Sequence, residues 1–210
     1  MFKADKATLA PLAAEFLGTG FLVLIALVLS ETTAVSYFIA TSVAVALGVA
    51  YMVFANVSGG HFNPAITLGM WTARKISSVR GVSYIVAQLL GGLASWQLYQ
   101  YFINHQLPVK TVSFNSRIFI AEAVGALILS LGFAAAVSRG LGALESALSY
   151  GAALFVGVLV ASTAAAGYLN PAVALGLRSF DWTYVLGPVV GAVVGINTYY
   201  MLFAPTKTKK

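Results

Sequence analysis

Residues 165–178 read AAGYLNPAVALGLR, and residues 58–69 read SGGHFNPAITLG. Each interrupts an apolar region with glycine and then with Asn-Pro-Ala, and the reading of this pair decides the fold. Asparagine is a favoured helix N-cap and proline at the first helical position sacrifices no useful N–H, so each Asn-Pro predicts a helix that starts inside an apolar region. After Asn63 the uncharged run lasts through Trp71 to the residue before Arg74 and Lys75, about 10 residues or ~15 Å of helix. After Asn170 it ends sooner, near Arg178. Helices of that length reach about half-way across a bilayer.

The surroundings are those of a membrane protein. The chain has 210 residues, 60% hydrophobic and 9% charged, outside the balance of a soluble domain. Six apolar stretches stand at residues 9–29, 35–57, 82–103, 118–137, 144–166 and 184–203. Each is roughly 20 residues, the length a helix needs to span the hydrocarbon. The first carries Glu15 and exceeds a signal-peptide core, so it is expected to be retained. Without cysteine there is no disulfide, thiolate metal site or Cys nucleophile. No metal or cofactor is expected, and no serine-histidine-aspartate or paired-carboxylate set suggests an enzyme.

The net charge of +6 raises the possibility of a nucleic-acid partner, but its placement argues against one. With the N-terminus inside, Lys3, Lys6, Arg74, Lys75, Arg80, Arg139, Lys207, Lys209 and Lys210 fall on the inner side, and only Lys110, Arg117 and Arg178 on the outer. Positive charge concentrates on cytoplasmic loops, so both termini are expected in the cytoplasm and the basic tail at the membrane surface.

Asn63 and Asn170 lie 107 residues apart, and so do Glu15 in AEFLG and Glu122 in AEAVG. Nearer the end, YIVAQLLGG from Tyr84 resembles YVLGPVVGA from Tyr184 at an offset of 100. The chain thus reads as one transmembrane domain of two halves, about residues 7–106 and 114–204, each with three spans and one Asn-Pro-Ala segment. Three is odd, so the second half enters the membrane from the opposite face. The expected fold is all-α: six transmembrane helices and two re-entrant half-helices in an inverted-topology repeat, with the working site near the midplane.

At that midplane the motif residues Asn63, Pro64 and Ala65 meet Asn170, Pro171 and Ala172. If each carboxamide oxygen caps its own helix, each NH₂ is left as a donor facing the other half, backed by two positive helix ends. A neutral molecule with an accepting oxygen is favoured there and a cation is not. A water accepting from both asparagines must aim its hydrogens away in both directions, which interrupts proton hopping. The non-helical approaches, residues 58–62 and 165–169, carry backbone that is tolerated at this depth only when buried or lining a wet cavity.

On these residues the chain resembles the aquaporin (major intrinsic protein) family over nearly its whole length. The two Asn-Pro-Ala segments, SGGHFNPAITLG, the AEFLGT opening and AQLLGG in the third span carry the resemblance. It implies a six-helix bundle with a pore in each monomer, usually a homotetramer, passing water or small neutral solutes such as glycerol, urea or ammonia. It also implies that Glu15 and Glu122 accept N–H groups of the two loops and brace them, proton relay being the other reading. Backbone at Gly59, Gly60, His61, Ala166 and Tyr168 would line the pore.

The chain departs from the family at its outer filter. An arginine that follows the second motif in water-selective relatives is Val173 here. The other filter positions, carried over by spacing, are Val43, Val158 and Gly167, with Gly157 in place of Val158 if one residue is inserted. The glycerol-type relatives add an aspartate where this chain has Ala174. A ring of three valines and a glycine is wide and uncharged, though an apolar constriction can also gate by dewetting. Arg178, about 140° round the helix from Val173, is expected to meet a helix C-terminus or lipid headgroup instead.

Under the inverted repeat, the outer ring maps onto Tyr150, Tyr51, Gly60 and Ile66 on the cytoplasmic side. The two tyrosines with Ile66 are therefore candidates for an inner constriction whose hydroxyls supply some of the lost polarity. Packing or interfacial tyrosines are the plainer reading. His61 is expected as a loop brace and His105 as solvated. Gly187, Gly191 and Gly195, and likewise Gly91, Gly92 and Ser95, should mark close helix packing. The functional expectation is a passive channel in a prokaryotic cell membrane, with the lipid bilayer as its surroundings and proton exclusion at the twin motifs. The alternative is a poorly conducting structural or junctional membrane protein of the same fold.

Overall fold

Once apolar side chains make lipid the surrounding solvent, every backbone N–H and C=O must be satisfied internally, and helices do this without help from neighbouring segments. The computed structural model describes residues 6–205 apart from Val112, with only the backbone of Lys6. Lys3 and the tail lysines Lys207, Lys209 and Lys210 lie outside the described residues. Six long helices and two short ones follow in order: α1 Lys6–Thr32, α2 Ser36–Ser58, α3 Pro64–Thr72, α4 Ser78–Ile103, α5 Ser116–Arg139, α6 Ala143–Ala161, α7 Pro171–Gly176 and α8 Trp182–Leu202. Five of the long helices are apolar and long enough to cross a membrane. The sixth, α4, has the length but carries Arg80, Gln88, Gln97 and Gln100.

Helix ends follow local chemistry. Ser77, Asn115 and Asp181 cap α4, α5 and α8 with side-chain oxygens. Gly59, Asn104 and Gly140 close α2, α4 and α5 in the left-handed conformation, where glycine and asparagine are tolerated best.

One boundary differs from the sequence expectation. The fifth apolar stretch was expected to run to Ala166, but α6 ends at Ala161. Small apolar residues look alike in span and loop, so hydropathy alone does not register the break. Residues 162–166 form the approach to the second motif.

Packing is pairwise. α1 packs on α4 and α5 on α8, with α2 and α6 joining the halves; α3 lies against α8 and α7 against α4. Glycine sets several of these approaches. A Cβ at Gly91 would overlap the Phe16 carbonyl of α1, and one at Gly191 the Ala123 carbonyl of α5. A Cβ at Gly92 would stand 2.7 Å from the Ala172 carbonyl, seating α7 on α4. The glycine faces expected from the sequence are thus close helix contacts.

The short helices are re-entrant. At ~1.5 Å per residue, α3 is about 13 Å long and α7 about 9 Å, too short to span. Their N-termini meet inside the bundle, where Asn63, Pro64, Ala65, Asn170, Pro171 and Ala172 are all buried.

Candidate functional site

Each short helix starts as its sequence requires. The Asn63 Oδ1 accepts from Ala65 N at 2.8 Å, and the Asn170 Oδ1 from Ala172 N at 2.9 Å. Both asparagines are extended, at φ −156° and −154°. The residue before each is left-handed despite its side chain, Phe62 at φ 48° and Leu169 at φ 53°. Such a conformation persists only when its surroundings enforce it.

The enforcement comes from α1 and α5. Glu15 accepts from His61 N at 3.0 Å and from Phe62 N at 2.7 Å. Glu122 accepts from Tyr168 N at 3.0 Å and from Leu169 N at 2.7 Å. One turn along each helix, Gly18 leaves room for the Phe62 ring, and Gly125 for the Leu169 side chain. Glu-x-x-Gly is therefore a two-part socket: the carboxyl group holds two N–H groups, and the absent side chain admits the strained residue.

The asparagine NH₂ groups are engaged differently from the sequence expectation. Asn63 Nδ2 donates to the Leu169 carbonyl at 2.9 Å, and Asn170 Nδ2 to the Phe62 carbonyl at 3.0 Å. Each carboxamide thus caps its own helix and ties down the opposite loop. An NH₂ carries two hydrogens; one spans the interface, and the second remains for the passage rather than both.

A cavity of about 310 Å³ runs down to this pair. Its mouth lies beside Ser30, Thr33 and Ser36, and it passes Val43, Val158, Gly167 and Val173 to reach Asn63 and Asn170. The four positions carried over as an outer filter therefore surround one space. Val158, not Gly157, faces it; Gly157 packs 2.6 Å from the Gly125 carbonyl, measured to a Cβ built there. Gly167, at φ 69°, holds the loop at this wall, and Ala166 and Tyr168 also line the space. Arg178 does not line it: its guanidinium lies 4.2 Å over the Trp96 ring. Arg178 thus stands at the C-terminal end of α7 with its guanidinium packed on an aromatic face of α4.

A second cavity, about 330 Å³, opens toward the loops after α3 and α5. Tyr51, Ser58, Gly59, His61 and Phe133 line it. Gly60 lines neither cavity; a Cβ there would stand 2.7 Å from the Tyr51 ring. Ile66 is fully buried and also lines neither, because its face of α3 is turned into the core. It does not join the tyrosines at an inner ring. The Tyr150 hydroxyl donates to the His61 carbonyl at 2.8 Å, so the hydroxyl proton is committed to the loop and is not free for a solute; His61 itself lines the second cavity.

Sequence reasoning missed three polar residues behind the first motif. Gln88 Nε2 donates to Glu15 at 2.7 Å and to the Thr67 hydroxyl at 2.8 Å. Thr67 also meets His61 Nδ1 at 3.0 Å, and the Tyr84 hydroxyl donates to the Ser58 carbonyl at 2.8 Å. His61 is thereby the loop brace it was expected to be, wedged between the Tyr84 and Phe133 rings. Gln88 stands inside AQLLGG, and a glutamine in an apolar run was a readable signal. The His105 side chain is exposed, in keeping with a solvated loop.

Six spans and two half-helices joined at an asparagine pair define a polytopic membrane protein of the inverted-repeat channel class. The sequence model described as major intrinsic protein matches residues 3–199, and the chain belongs to that family, whose aquaporins are membrane channels and not enzymes. The chain is similar to aquaporin-5 of Ovis aries, 33% identical over 76% of this chain and 66% of that protein. It is similar to aquaporin TIP2-1 of Arabidopsis thaliana, 35% identical over 70% and 64%. It is also similar to glycerol uptake facilitator protein-like 6 of Lactiplantibacillus plantarum, 28% identical over 86% and 92%. The match thus spans about two thirds of the animal and plant relatives and nearly all of the bacterial one. Among solved structures it shares the fold of the aquaglyceroporin from Plasmodium falciparum, with TM-score 0.80 and 23% identity over 94% of this chain and 97% of that one.

Proposed function

We propose that the chain is a passive membrane channel for water and small uncharged solutes, with glycerol, urea and ammonia as candidates beside water. The observation that carries this is the 310 Å³ cavity that passes the valine-glycine ring and ends on both asparagines. The ring has no fixed charge and no side-chain donor, so it neither attracts nor repels an ion at short range and sets no polar recognition before the asparagines; a solute there keeps what hydration the cavity holds. There, one remaining N–H on each carboxamide and two helix N-termini favour an accepting oxygen and oppose cations. Proton exclusion rests on the same pair, since a water held by both donors cannot relay a proton between its neighbours.

The domain is read as a single channel of two inverted halves, and its assembly as a homotetramer. Arg74, Lys75, Arg80 and Arg139 on one face against Lys110, Arg117 and Arg178 on the other support cytoplasmic termini. The short loops suit a prokaryotic cell membrane.

Stopped-flow light scattering on proteoliposomes, with osmotic gradients of glycerol and urea and an internal pH dye, tests the reading. Water flux well above protein-free vesicles without a matching proton leak is expected. A proton current that grows with protein content would overturn the exclusion. Background flux for every solute, from this chain and from variants that open its interior, would favour the structural protein of the same fold.

A further inference from the structure

The two cavities share no lining residue, and the boundary between them falls at one level of the bundle. On α2 the positions Val43, Leu47 and Tyr51 follow one another at four-residue spacing, so they share a face. Val43 and Leu47 line the upper cavity, and Tyr51 lines the lower. On α6 the positions Val158, Leu154, Tyr150 and Ser146 form the equivalent stripe. The first three line the upper cavity and Ser146 the lower. Along both helices the space changes hands at a tyrosine.

The two rings meet there edge to face, with centroids 5.8 Å apart. Tyr150 is held on three sides: by Tyr51, by the Phe133 ring at 4.9 Å, and by its hydrogen bond to the His61 carbonyl. Tyr51 lies against Gly60, where a side chain would displace it. The valine ring, by contrast, has one continuous cavity running through it and does not close the passage.

From this we infer that Tyr51 and Tyr150 are the specificity-determining constriction of the channel. The solute cut-off is set on the side of the bundle where α2 ends and α6 begins, not at the apolar mouth. The inference rests on the channel reading. The aromatic pair narrows the candidate solutes: it admits those about the size of water or ammonia and removes glycerol and other three-carbon polyols, which the valine-glycine ring would pass. The Tyr150 hydroxyl positions the barrier rather than binding solute, because it is already donated to the His61 carbonyl.

The test compares water and glycerol flux in proteoliposomes of the unaltered chain, Tyr51→Ala, Tyr150→Ala and Tyr150→Phe, with detergent thermal unfolding to verify folding. Tyr51→Ala and Tyr150→Ala are expected to raise glycerol flux at least about tenfold, equivalent to ~1.4 kcal/mol of barrier. Tyr150→Phe keeps the ring and should keep glycerol out. Should Tyr150→Ala fail to fold, Tyr51→Ala carries the test, since its ring borders a cavity and a glycine. Glycerol exclusion unchanged in folded alanine variants would overturn the constriction and leave the channel reading standing. No flux of water or glycerol from any of the four proteins would overturn both.

Discussion

Glu15 and Glu122 occupy equivalent places, yet their loads differ. Each accepts two loop N–H groups, but Glu15 also accepts from Gln88, whose counterpart at an offset of 100 is Pro188, without a side-chain donor. Leaving a buried donor unpaired costs about 1–3 kcal/mol. Glu122→Ala should therefore lower the thermal unfolding temperature markedly, and Glu15→Ala should lower it further. Glu122→Gln, which keeps one accepting oxygen, should fall between Glu122→Ala and the unaltered chain. Scanning the purified protein in one detergent ranks them, and equal losses at the two positions would show that the Gln88 bond adds nothing. Of these residues, the sequence made the glutamates legible through the shared spacing. The role of Gln88 is not legible there, because its partners, Glu15 and Thr67, are 73 and 21 residues away.

At the scale of elements, the half-helices were legible because capping is local chemistry: Asn followed by Pro determines its own first turn. Where a short helix is held depends on its neighbours, and here backbone meets backbone. Gly191 faces the Ala123 carbonyl of α5 with no space for a methyl group, whereas Gly140, at φ 64°, closes α5 with nothing within 4 Å. Overpacking of this kind costs about 1–3 kcal/mol or more, so Gly191→Ala should destabilise the protein clearly. Gly140→Asn, which tolerates the left-handed conformation, should be close to neutral by the same thermal measurement. The end of α6 was misplaced for a related reason. Residues 162–166 continue the apolar stretch, but Ser162, Ala165 and Ala166 serve as cavity wall, a difference that composition does not contain.

At the scale of the whole molecule, the channel reading puts the valine-glycine ring and the tyrosine pair in series along one path. In a series arrangement the tighter element sets the cut-off, and changing the wider one has little effect. Val173→Arg should thus alter glycerol exclusion little in the unaltered chain, yet restore it in a Tyr51→Ala background by narrowing the mouth that then limits flux. Vesicle swelling in glycerol reads both cases. A double variant as permeable as Tyr51→Ala would place the two rings on separate paths.

The sequence by itself determined the six apolar stretches, the inverted register of the two halves and the helix starts at Asn63 and Asn170. These depend on hydropathy, spacing and capping, which act over a few residues or repeat at a constant offset. Only the tertiary structure decided that each asparagine also ties down the opposite loop, that Arg178 turns to Trp96, that Ile66 stays in the core and that the open space divides at Tyr51 and Tyr150. Those outcomes depend on which side chains from distant segments reach the same point. That is settled by packing across helix pairs, because in lipid each buried polar group must find its partner within the protein.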